Sequence, residues 1–564
     1  MGFYLNSKKP YLLFREDRLA RYFVDKSKLL NDLIPVVEWI DNVAIKSNSA
    51  LGKELKYICI TRPRRFGKTM AANMISAYFG KGADSGDIFR GLEAASYPWF
   101  TKHLNQHHVI HIMFNEIPDE CTTYMQYITR FKKRLLADLM RAFPEAQIDE
   151  DCALWDAFNS IIEFGTGDKF IFILDEWDFI FHRDFVTEKD KAAYITFLSN
   201  LFKDQPYVEL VYMTGILPIA KYSSGSELNM FCEYTMTTEE RFTQYFGFIE
   251  TEVDKLFEQY QKCIKEGEKI TQKVTREGLR DWYNGYHTKS GERVYNPRSV
   301  VLALTNNNLG NYWTSSGPYD EIKYYIEKNT DAVRDELAML VSGTPVSAKV
   351  REYAATSMNL TTKDEIFSAM VVYGFLNYKD GFVSIPNKEL MNQFADMLCK
   401  EPSLGYVYRL AKESERMLAA TKALDTDTMV SILEFAHNSE SPILNYNNET
   451  ELTMIVNMVY LSARDSYRIE REDKAGVGFV DFIFYPYRAG DDCIILELKA
   501  GHTAQDALKQ IKDRGYAMKF QGKLGEKPQF TGRILLVGIA YNKGKDKKHS
   551  CKIEVFKKEM GLSQ

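Results

Sequence analysis

Short apolar runs alternate with helix-like stretches through the first 250 residues of the chain. Four runs have the length of a single strand: Tyr57–Ile60, Val109–Phe114, Phe170–Leu174 and Val208–Met213. Between them lie stretches with apolar residues at helical spacing, such as Lys68–Phe79, Tyr124–Phe143 and Lys189–Phe202. Strands that are apolar throughout and alternate with helices predict a parallel sheet covered by helices on both faces.

The pattern changes beyond residue 250. Residues 250–350 have mostly helical spacing, interrupted by an aromatic-rich turn at Trp282–Tyr286 that suits base stacking but is more typical of a packed core. A helix at Asp364–Tyr373, a hairpin with its turn at Lys379–Gly381 and a strand at Phe382–Ile385, and a further helix then follow in a winged-helix-like order. Such a wing contacts DNA in some proteins and only packs in others, and the sequence leaves both interpretations open.

A second α/β pattern occupies the C-terminal part of the chain. Strands are predicted at Tyr467–Arg471, Phe479–Tyr485, Cys493–Leu498 and Ile534–Tyr541, with a helix near 503–519 before the last of them. We therefore divide the chain into three predicted parts, residues 1–250, 251–402 and 403–564.

Composition narrows the class of protein. The 564 residues are 45% apolar and 26% charged, which excludes a mainly disordered chain. No apolar run approaches the roughly 18 residues of a spanning helix, and the polar start at Met1–Arg15 has no signal-peptide pattern. Eight scattered cysteines without a C-x-x-C pair indicate reduced thiols, so we expect a cytoplasmic protein without a membrane partner.

Charge is distributed unevenly. The net charge of −5 excludes a globally basic nucleic-acid binder. Residues 501–564 nevertheless hold 12 Lys and 2 Arg against 3 Asp and 3 Glu, which is 14 − 6 = +8. This C-terminal excess suits either a polyanion-binding end or an ordinary solvated surface.

The first candidate site is the stretch Thr61–Thr69, which lies between a predicted strand and a predicted helix. In that context backbone N–H groups and a helix N-terminus can cradle phosphates. Lys68 can reach the β- and γ-phosphates of ATP, and the Thr69 hydroxyl can ligate Mg²⁺, although Arg62 stands where the usual first glycine is. The predicted nucleotide-binding residues of this loop are Arg64, Arg65, Phe66, Gly67, Lys68 and Thr69.

Polar residues at the ends of two later strands complete this site. Asp175 and Glu176 follow a buried strand, so Asp175 is predicted to hold Mg²⁺ through water and Glu176 to orient or deprotonate the attacking water. Thr214 ends the next strand and can contact the γ-phosphate or simply terminate the strand. Arg64, Arg65 and Arg241 are candidate charge stabilisers that the sequence does not rank.

The second candidate site lies in the C-terminal pattern. Asp481 stands on one strand, and Glu497 and Lys499 stand two residues apart on the next, which places them on the same face. An antiparallel pairing of the two strands would bring Asp481 beside them. Two carboxylates that hold Mg²⁺ and a lysine that positions the nucleophile are the groups that phosphodiester hydrolysis needs, with the Leu498 carbonyl as a further metal ligand.

The sequence resembles the AAA-ATPase-like family of bacterial proteins, whose members carry a C-terminal PD-(D/E)XK nuclease-like domain. The resemblance covers nearly the whole chain, and the motifs that carry it before the C-terminal domain are Tyr22–Ser27, Arg62–Thr69, Leu174–Asp178, Thr214–Leu217, Ser226–Asn229, Trp282–Tyr286 and Tyr295–Pro297. Arginine at the first loop position is usual in this family. The resemblance implies an α/β fold class: a P-loop NTPase parallel sheet, a helical and winged-helix-like lid, and a restriction-endonuclease-like α/β domain.

The same resemblance implies roles for individual residues. Asp481, Glu497 and Lys499 match the core triad, and Gln510 matches a glutamine on the following helix. An upstream helical acid often completes such metal sites. For this acid we choose Glu449, with Glu472 as the alternative. Phe479 stands where family nucleases often carry an arginine near the Asp strand.

The sequence therefore predicts an ATP-binding protein with a Mg²⁺-dependent nuclease domain that cleaves DNA, gated or positioned by nucleotide. One alternative is a nucleotide-switched module that binds nucleic acid without cutting it, and another is an ATPase that acts on a protein partner. A homo-oligomer is compatible with the resemblance because many AAA-type ATPases act as rings. The sequence identifies no arginine finger.

Overall fold

The computed structural model describes residues 2–39, 53–219, 227–237, 239–266, 271–313, 330–350, 360, 362–438, 449–475, 478–520, 530–542 and 548–556. The chain divides into two compact units. The first unit comprises Met1–Ser316, Ala348–Leu360 and Asp364–Gly381, and the second comprises Gly317–Ser347, Thr361–Lys363 and Phe382–Gln564. The finer division into three domains stays a prediction.

A five-stranded parallel sheet forms the centre of the first unit. Its strands are β1 (Tyr57–Thr61), β2 (His108–Met113), β3 (Phe170–Asp175), β4 (Val208–Gly215) and β5 (Cys232–Tyr234). They lie in the order β2-β3-β4-β1-β5, and every neighbouring pair is parallel. Strands β1, β3 and β4 are buried along their whole length, as expected for strands between two layers of helices.

Helices cover both faces of this sheet. The helices before residue 203 are α1 (Lys9–Leu19), α2 (Leu29–Trp39), α3 (Lys68–Phe79), α4 (Gly86–Phe89), α5 (Phe100–His103), α6 (Tyr124–Ala142), α7 (Leu154–Phe164) and α8 (Glu188–Phe202). One core contains residues of α1, α2 and α3, and the other contains residues of α6, α7 and α8. Alternate residues of β3 enter the two cores, with Phe172 in one and Ile173 in the other. The predicted parallel sheet covered on both faces is confirmed.

Helices and short strands follow from residue 250. They are α9 (Glu250–Glu266), α10 (Arg276–Tyr283), β6 (Tyr286–His287), β7 (Arg293–Val294), α11 (Pro297–Asn306), α12 (Thr330–Val341), β8 (Val346–Ser347), α13 (Lys363–Tyr373), β9 (Asn377–Lys379) and β10 (Phe382–Ser384). Helices α9, α10 and α11 enclose a small apolar core of the first unit. Tyr283 and Tyr286 are buried, so most of the aromatic-rich turn packs inside the protein.

The second unit contains α14 (Lys388–Lys400), α15 (Tyr406–Ala423), α16 (Thr426–Asn438) and α17 (Glu449–Val459), followed by β11 (Tyr467–Ala475), β12 (Gly478–Pro486), β13 (Cys493–Ala500), α18 (Ala504–Asp513), β14 (Ile534–Tyr541) and β15 (His549–Val555). The five strands lie in chain order, with β13 and β14 parallel and the other neighbours antiparallel. Buried residues of α18 share an apolar core with β12, β13 and β14.

Helix α18 is shorter than the sequence predicts. It begins with a capping box in which Thr503 and Asp506 bond each other's backbone N–H groups, and it ends at Asp513 rather than near residue 519. Gly515 follows with a φ of +64°, a left-handed conformation that favours glycine and ends a helix. Among the described residues, no helix combines the length and the apolar content needed to cross a membrane.

Candidate phosphate loop and candidate nuclease centre

The predicted phosphate loop joins β1 to α3 at the carboxyl edge of the parallel sheet. Strand β1 ends at Thr61 and α3 begins at Lys68, with Gly67 as its N-cap at a φ of +90°. Arg65 is also left-handed, with a φ of +70°. The loop therefore turns sharply before a 12-residue helix, and the backbone N–H groups at that helix end suit an anion.

Lys68 is buried beneath this loop. Its Nζ donates to the carbonyl oxygens of Arg62 at 2.7 Å and Pro63 at 2.8 Å. Burial lowers the pKa of Lys68 to about 8, against the opposing charges of Asp178 and Asp175. The ammonium is thus held on loop carbonyls, and phosphate oxygens would offer it stronger, charged acceptors.

Two carboxylates follow β3 beside Lys68. Asp175 is fully buried and accepts a hydrogen bond from the Thr214 hydroxyl. Burial raises the pKa of Asp175, while the Thr214 and Thr69 hydroxyls and the Lys68 charge lower it. Burial and the neighbouring Asp175 also raise the pKa of Glu176, which has a left-handed φ of +54°. The structure therefore brings Lys68, Thr69, Asp175, Glu176 and Thr214 together.

The donor set of this cluster fits Mg²⁺. Thr69 offers a hydroxyl and Asp175 a carboxylate, which are the hard oxygen ligands that the ion prefers. Their proximity is visible in the effect of the Thr69 hydroxyl on the pKa of Asp175. Thr69 and Asp175 are therefore the residues that would hold the ion beside a nucleotide.

The remaining predicted loop residues take different places. Arg64 is half-buried and Arg65 is exposed, whereas the Phe66 side chain is buried and meets the Tyr286 ring edge-on at 5.1 Å. Phe66 therefore contributes only its backbone to the loop surface. Arg241 donates to the Asp32 carbonyl at 3.4 Å, so its guanidinium has a structural contact.

The structure explains why an arginine replaces the first loop glycine. Arg62 is 1% exposed and donates from Nη1 to the carbonyls of Thr61 at 2.8 Å and Tyr234 at 2.7 Å. The Tyr234 carbonyl belongs to β5, so the guanidinium ties the end of β1 to the neighbouring strand. The role of Arg62 depends on this distant partner, and the local sequence carries no signal for it.

Asp178 is a functional-site residue that the sequence reasoning did not single out. Its Oδ2 accepts the backbone N–H groups of Ile216 at 2.9 Å and Leu217 at 2.7 Å. A Cβ on Gly215 would lie 2.5 Å from the Trp177 ring, so only glycine allows β4 to end this close to the acidic turn. Asp178 therefore fixes the loop after β4 against the end of β3. The only sequence signal is the second aspartate in Leu174–Asp178.

The candidate nuclease centre lies on β12 and β13 of the second unit. The strands are antiparallel, with Phe482 opposite Leu496, so Asp481 reaches the position beside Glu497. The Asp481 N–H lies 3.5 Å from Glu497 Oε2, and the Leu498 N–H donates to Asp481 Oδ2 at 2.7 Å. The antiparallel pairing expected from the sequence is confirmed.

Lys499 and Gln510 both contact Glu497. Lys499 Nζ lies 3.3 Å from Glu497 Oε1, and Gln510 Nε2 on α18 donates to the same oxygen. Glu497 is 2% exposed, and burial together with the Asp481 charge raises its pKa to about 7. The four predicted residues thus converge on one partly desolvated point.

Asp481 and Glu497 offer carboxylate oxygens, which fit a divalent metal ion. Among the described side chains, no three His, Cys, Asp or Glu residues form a cluster that could hold a metal ion. Glu449 begins α17 and Glu472 lies in β11, but the structure does not describe their side chains. The prediction of a third acid therefore falls outside the described residues.

Comparison with known proteins finds a family match in each of the two regions that hold the candidate sites. Residues 46–224 match the family model of a predicted AAA-ATPase, and residues 447–548 match that of the PD-(D/E)XK nuclease superfamily. The chain is similar to an uncharacterized protein in the vnfD 5' region of Azotobacter chroococcum mcd 1, with 26% identity over 270 residues. That similarity covers 46% of this chain and 47% of the relative, so the chain spans about half the relative's length.

A solved structure, the Walker-type ATPase of Pyrococcus abyssi, aligns with a TM-score of 0.32 and 11% identity, over 60% of this chain and 90% of that one. The fold of the protein is α/β, with a parallel five-stranded sheet in the first unit and a mixed five-stranded sheet in the second. A match to a predicted AAA-ATPase and a C-terminal match to the PD-(D/E)XK nuclease superfamily occur on the same chain, which confirms the resemblance read from its motifs.

Proposed function

We propose that this protein is a Mg²⁺-dependent nuclease that cleaves DNA and is gated or positioned by ATP bound at its phosphate loop. The observation that carries the proposal is the convergence of Lys499, Gln510 and Asp481 on the buried carboxylate of Glu497. Structural strand faces seldom gather two carboxylates and a lysine at a desolvated point, because unpaired burial of charge is unfavourable.

Each side chain has a task in phosphodiester hydrolysis. Asp481 and Glu497 would hold the divalent ion, which supplies an activated water and screens the phosphate charge. Lys499, whose side chain is 19% exposed, can position the attacking water or stabilise the developing charge. Gln510 orients the Glu497 carboxylate from α18.

At the phosphate loop, Lys68 would exchange the carbonyls of Arg62 and Pro63 for the β- and γ-phosphates. Glu176 lies beside Asp175, where it can orient or deprotonate a water for ATP hydrolysis.

All eight cysteines are free thiols, which supports a reducing compartment such as the cytoplasm.

The proposal is tested by cleavage of labelled linear, circular and single-stranded DNA with Mg²⁺ or Mn²⁺, with and without ATP. We expect the wild-type protein to cut and Lys499→Ala to be inactive. Lys512→Ala serves as the control, because Lys512 pairs with Glu554 at the surface of the same unit. If the wild-type protein leaves every substrate intact, the nuclease assignment is wrong and a binding function takes its place.

Nucleotide binding is tested separately, by the increase in melting temperature that Mg-ATP produces. Lys68→Ala should lose this shift, whereas Lys132→Ala, which removes a cation over the Phe197 ring of the same unit, should keep it. If the Lys68 variant is stabilised by Mg-ATP as strongly as the wild type, the loop does not bind the nucleotide as proposed.

A further inference from the structure

Arg514 lies beside the candidate nuclease centre, although the sequence analysis did not single it out. It caps α18, and its backbone N–H donates to the carbonyl of Gln510 at 3.1 Å. The Gln510 side chain in turn donates to Glu497. Arg514 is therefore one helical turn beyond a residue that already contacts the centre.

A buried tyrosine fixes the direction of the Arg514 side chain. Arg514 Nη1 donates to the Tyr516 hydroxyl at 3.1 Å, and that hydroxyl donates to the Phe479 carbonyl at 2.6 Å. Tyr516 is fully buried in the core that α18 shares with the sheet. Phe479 lies on β12, two residues before Asp481, so the guanidinium is anchored next to the strand that carries the first acid.

The guanidinium is exposed and available to a ligand. Arg514 is exposed, and within the part of the chain that the structure describes it forms no ion pair with a carboxylate within 4.0 Å. The Glu497 carboxylate is nonetheless close enough to raise the pKa of Arg514, after the larger effect of its bond to Tyr516. An oriented, solvent-facing arginine at the edge of a two-carboxylate centre has the chemistry of a phosphate contact.

The β12 residue to which Arg514 is linked offers no cation of its own. Phe479 is aromatic, and its exposed ring cannot bind phosphate. Through Tyr516, Arg514 is bonded to the backbone of that same residue. A positive charge thus reaches the β12 side of the centre from α18 instead of from the strand.

We propose that Arg514 binds a phosphate of the nucleic-acid strand at the cleavage site, and that Tyr516 is its positioning residue. The inference rests on the proposed nuclease function. Arg514 and Lys499 would then contact the same phosphodiester from two elements. The planar guanidinium suits phosphate because it can donate two parallel hydrogen bonds.

The test compares cleavage by Arg514→Ala, Arg514→Lys and Tyr516→Phe. We expect kcat/KM to fall about 30-fold or more in Arg514→Ala, to recover in part in Arg514→Lys, and to fall about 3- to 10-fold in Tyr516→Phe. The control Lys512→Ala removes a cation from the same helix that is paired with Glu554, and it should stay within about twofold. The thermal shift produced by Mn²⁺ should be unchanged in every variant, because the carboxylates are intact.

Binding of the same labelled DNA, measured by fluorescence anisotropy without metal, makes the outcome independent of cleavage. Weaker binding by Arg514→Ala than by Lys512→Ala, with an unchanged Mn²⁺ shift, supports the phosphate contact even if the wild-type protein cuts nothing. If the wild-type protein binds DNA in this way but does not cut it, only the nuclease assignment is wrong. Equal cleavage and equal binding by the two variants would overturn the role of Arg514, whether or not the wild-type protein is a nuclease.

Discussion

The backbone N–H of Leu498 donates a 2.7 Å hydrogen bond to Oδ2 of Asp481, across the two strands of the candidate nuclease centre. This bond holds the Asp481 carboxylate beside Glu497, whose own carboxylate is almost fully buried. Burial raises the pKa of Glu497, and the neighbouring negative charge of Asp481 raises it further. The ionised form of Glu497 therefore lowers the stability of the folded protein.

The variant Glu497→Gln should accordingly be more stable than the wild type and inactive. The pKa of about 7 for Glu497 lies above the ordinary value for glutamate, so its ionisation opposes folding at higher pH. At pH 8 and without metal, we expect the free energy of unfolding to rise by about 1–3 kcal/mol. Urea denaturation measures the gain, and DNA cleavage measures the loss of activity.

Glu470→Gln is the control for this variant, because Glu470 lies on β11 of the same sheet, half-exposed and paired with Arg468 at 3.1 Å. The free energy of unfolding of the Glu470→Gln protein should differ from that of the wild type by less than about 0.5 kcal/mol. A Glu497→Gln protein that is less stable than the wild type at pH 8 would contradict the conclusion that the ionised, desolvated Glu497 carboxylate destabilises the fold.

Asp178 should matter for stability more than its position in a loop suggests. Its carboxylate accepts the N–H groups of both Ile216 and Leu217, and Asp178→Ala would leave these buried donors without an acceptor. We expect a loss of about 2–4 kcal/mol in the free energy of unfolding. The exposed Asp184 of the same unit is the control, since Asp184→Ala should cost less than about 0.5 kcal/mol. Equal losses in the two variants would show that Asp178 is not the acceptor that holds this loop.

Gly374 contacts the phosphate loop through Pro63. A Cβ on Gly374 would lie 2.6 Å from Pro63 Cβ, and the Gly374 carbonyl accepts the Tyr286 hydroxyl at 2.8 Å. Gly374→Ala should therefore displace Pro63, one of the two carbonyl partners of Lys68, and both destabilise the protein by about 3 kcal/mol and weaken its thermal response to Mg-ATP.

Gly381→Ala is the control that separates the contact of a Gly374 Cβ with Pro63 from the backbone strain of a left-handed residue. Gly374 and Gly381 have nearly the same left-handed φ, +85° and +87°, but among the described residues nothing lies within 4 Å of a Cβ on Gly381. This control should cost only about 1 kcal/mol and keep the full Mg-ATP shift. If both variants respond to Mg-ATP alike, the contact with Pro63 has no influence on the loop.

The sequence predicted those parts of the fold and sites that depend on local pattern. The apolar runs marked β1 to β4, and period-2 spacing placed Glu497 and Lys499 on one face of β13. Strand order was not predictable in this way, because the insertion of β4 between β1 and β3 leaves no trace in either strand. The sequence does not reveal the end of α18, because the left-handed turn at Gly515 interrupts a stretch whose composition still suits a helix.

The sequence also does not reveal the roles of residues whose partners lie far away along the chain. Arg62 departs from the usual glycine of a phosphate loop, and the role of its side chain comes from a bond to the Tyr234 carbonyl, 172 positions away. The carboxylate of Asp178 reaches backbone groups 38 and 39 positions further along the chain. Arg514 depends on a tyrosine hydroxyl that bonds a carbonyl 37 positions earlier. Such contacts follow from the packed fold, and no local spacing encodes them.

His111 on β2 should make the protein less stable in mild acid. It is buried, hydrogen-bonded through Nδ1 to the Ser76 hydroxyl at 2.7 Å, and burial lowers its pKa to about 3. The unfolded chain, with a histidine pKa of about 6.5, then binds one more proton than the folded protein between those values. Stability from His111 is therefore complete above about pH 6.5 and is lost as the pH falls towards 3, by about 2 kcal/mol between pH 7 and pH 5. Urea denaturation of the wild type and His111→Met at these two pH values should show that the variant loses about 2 kcal/mol less, and parallel losses would mean that His111 is protonated in the folded protein.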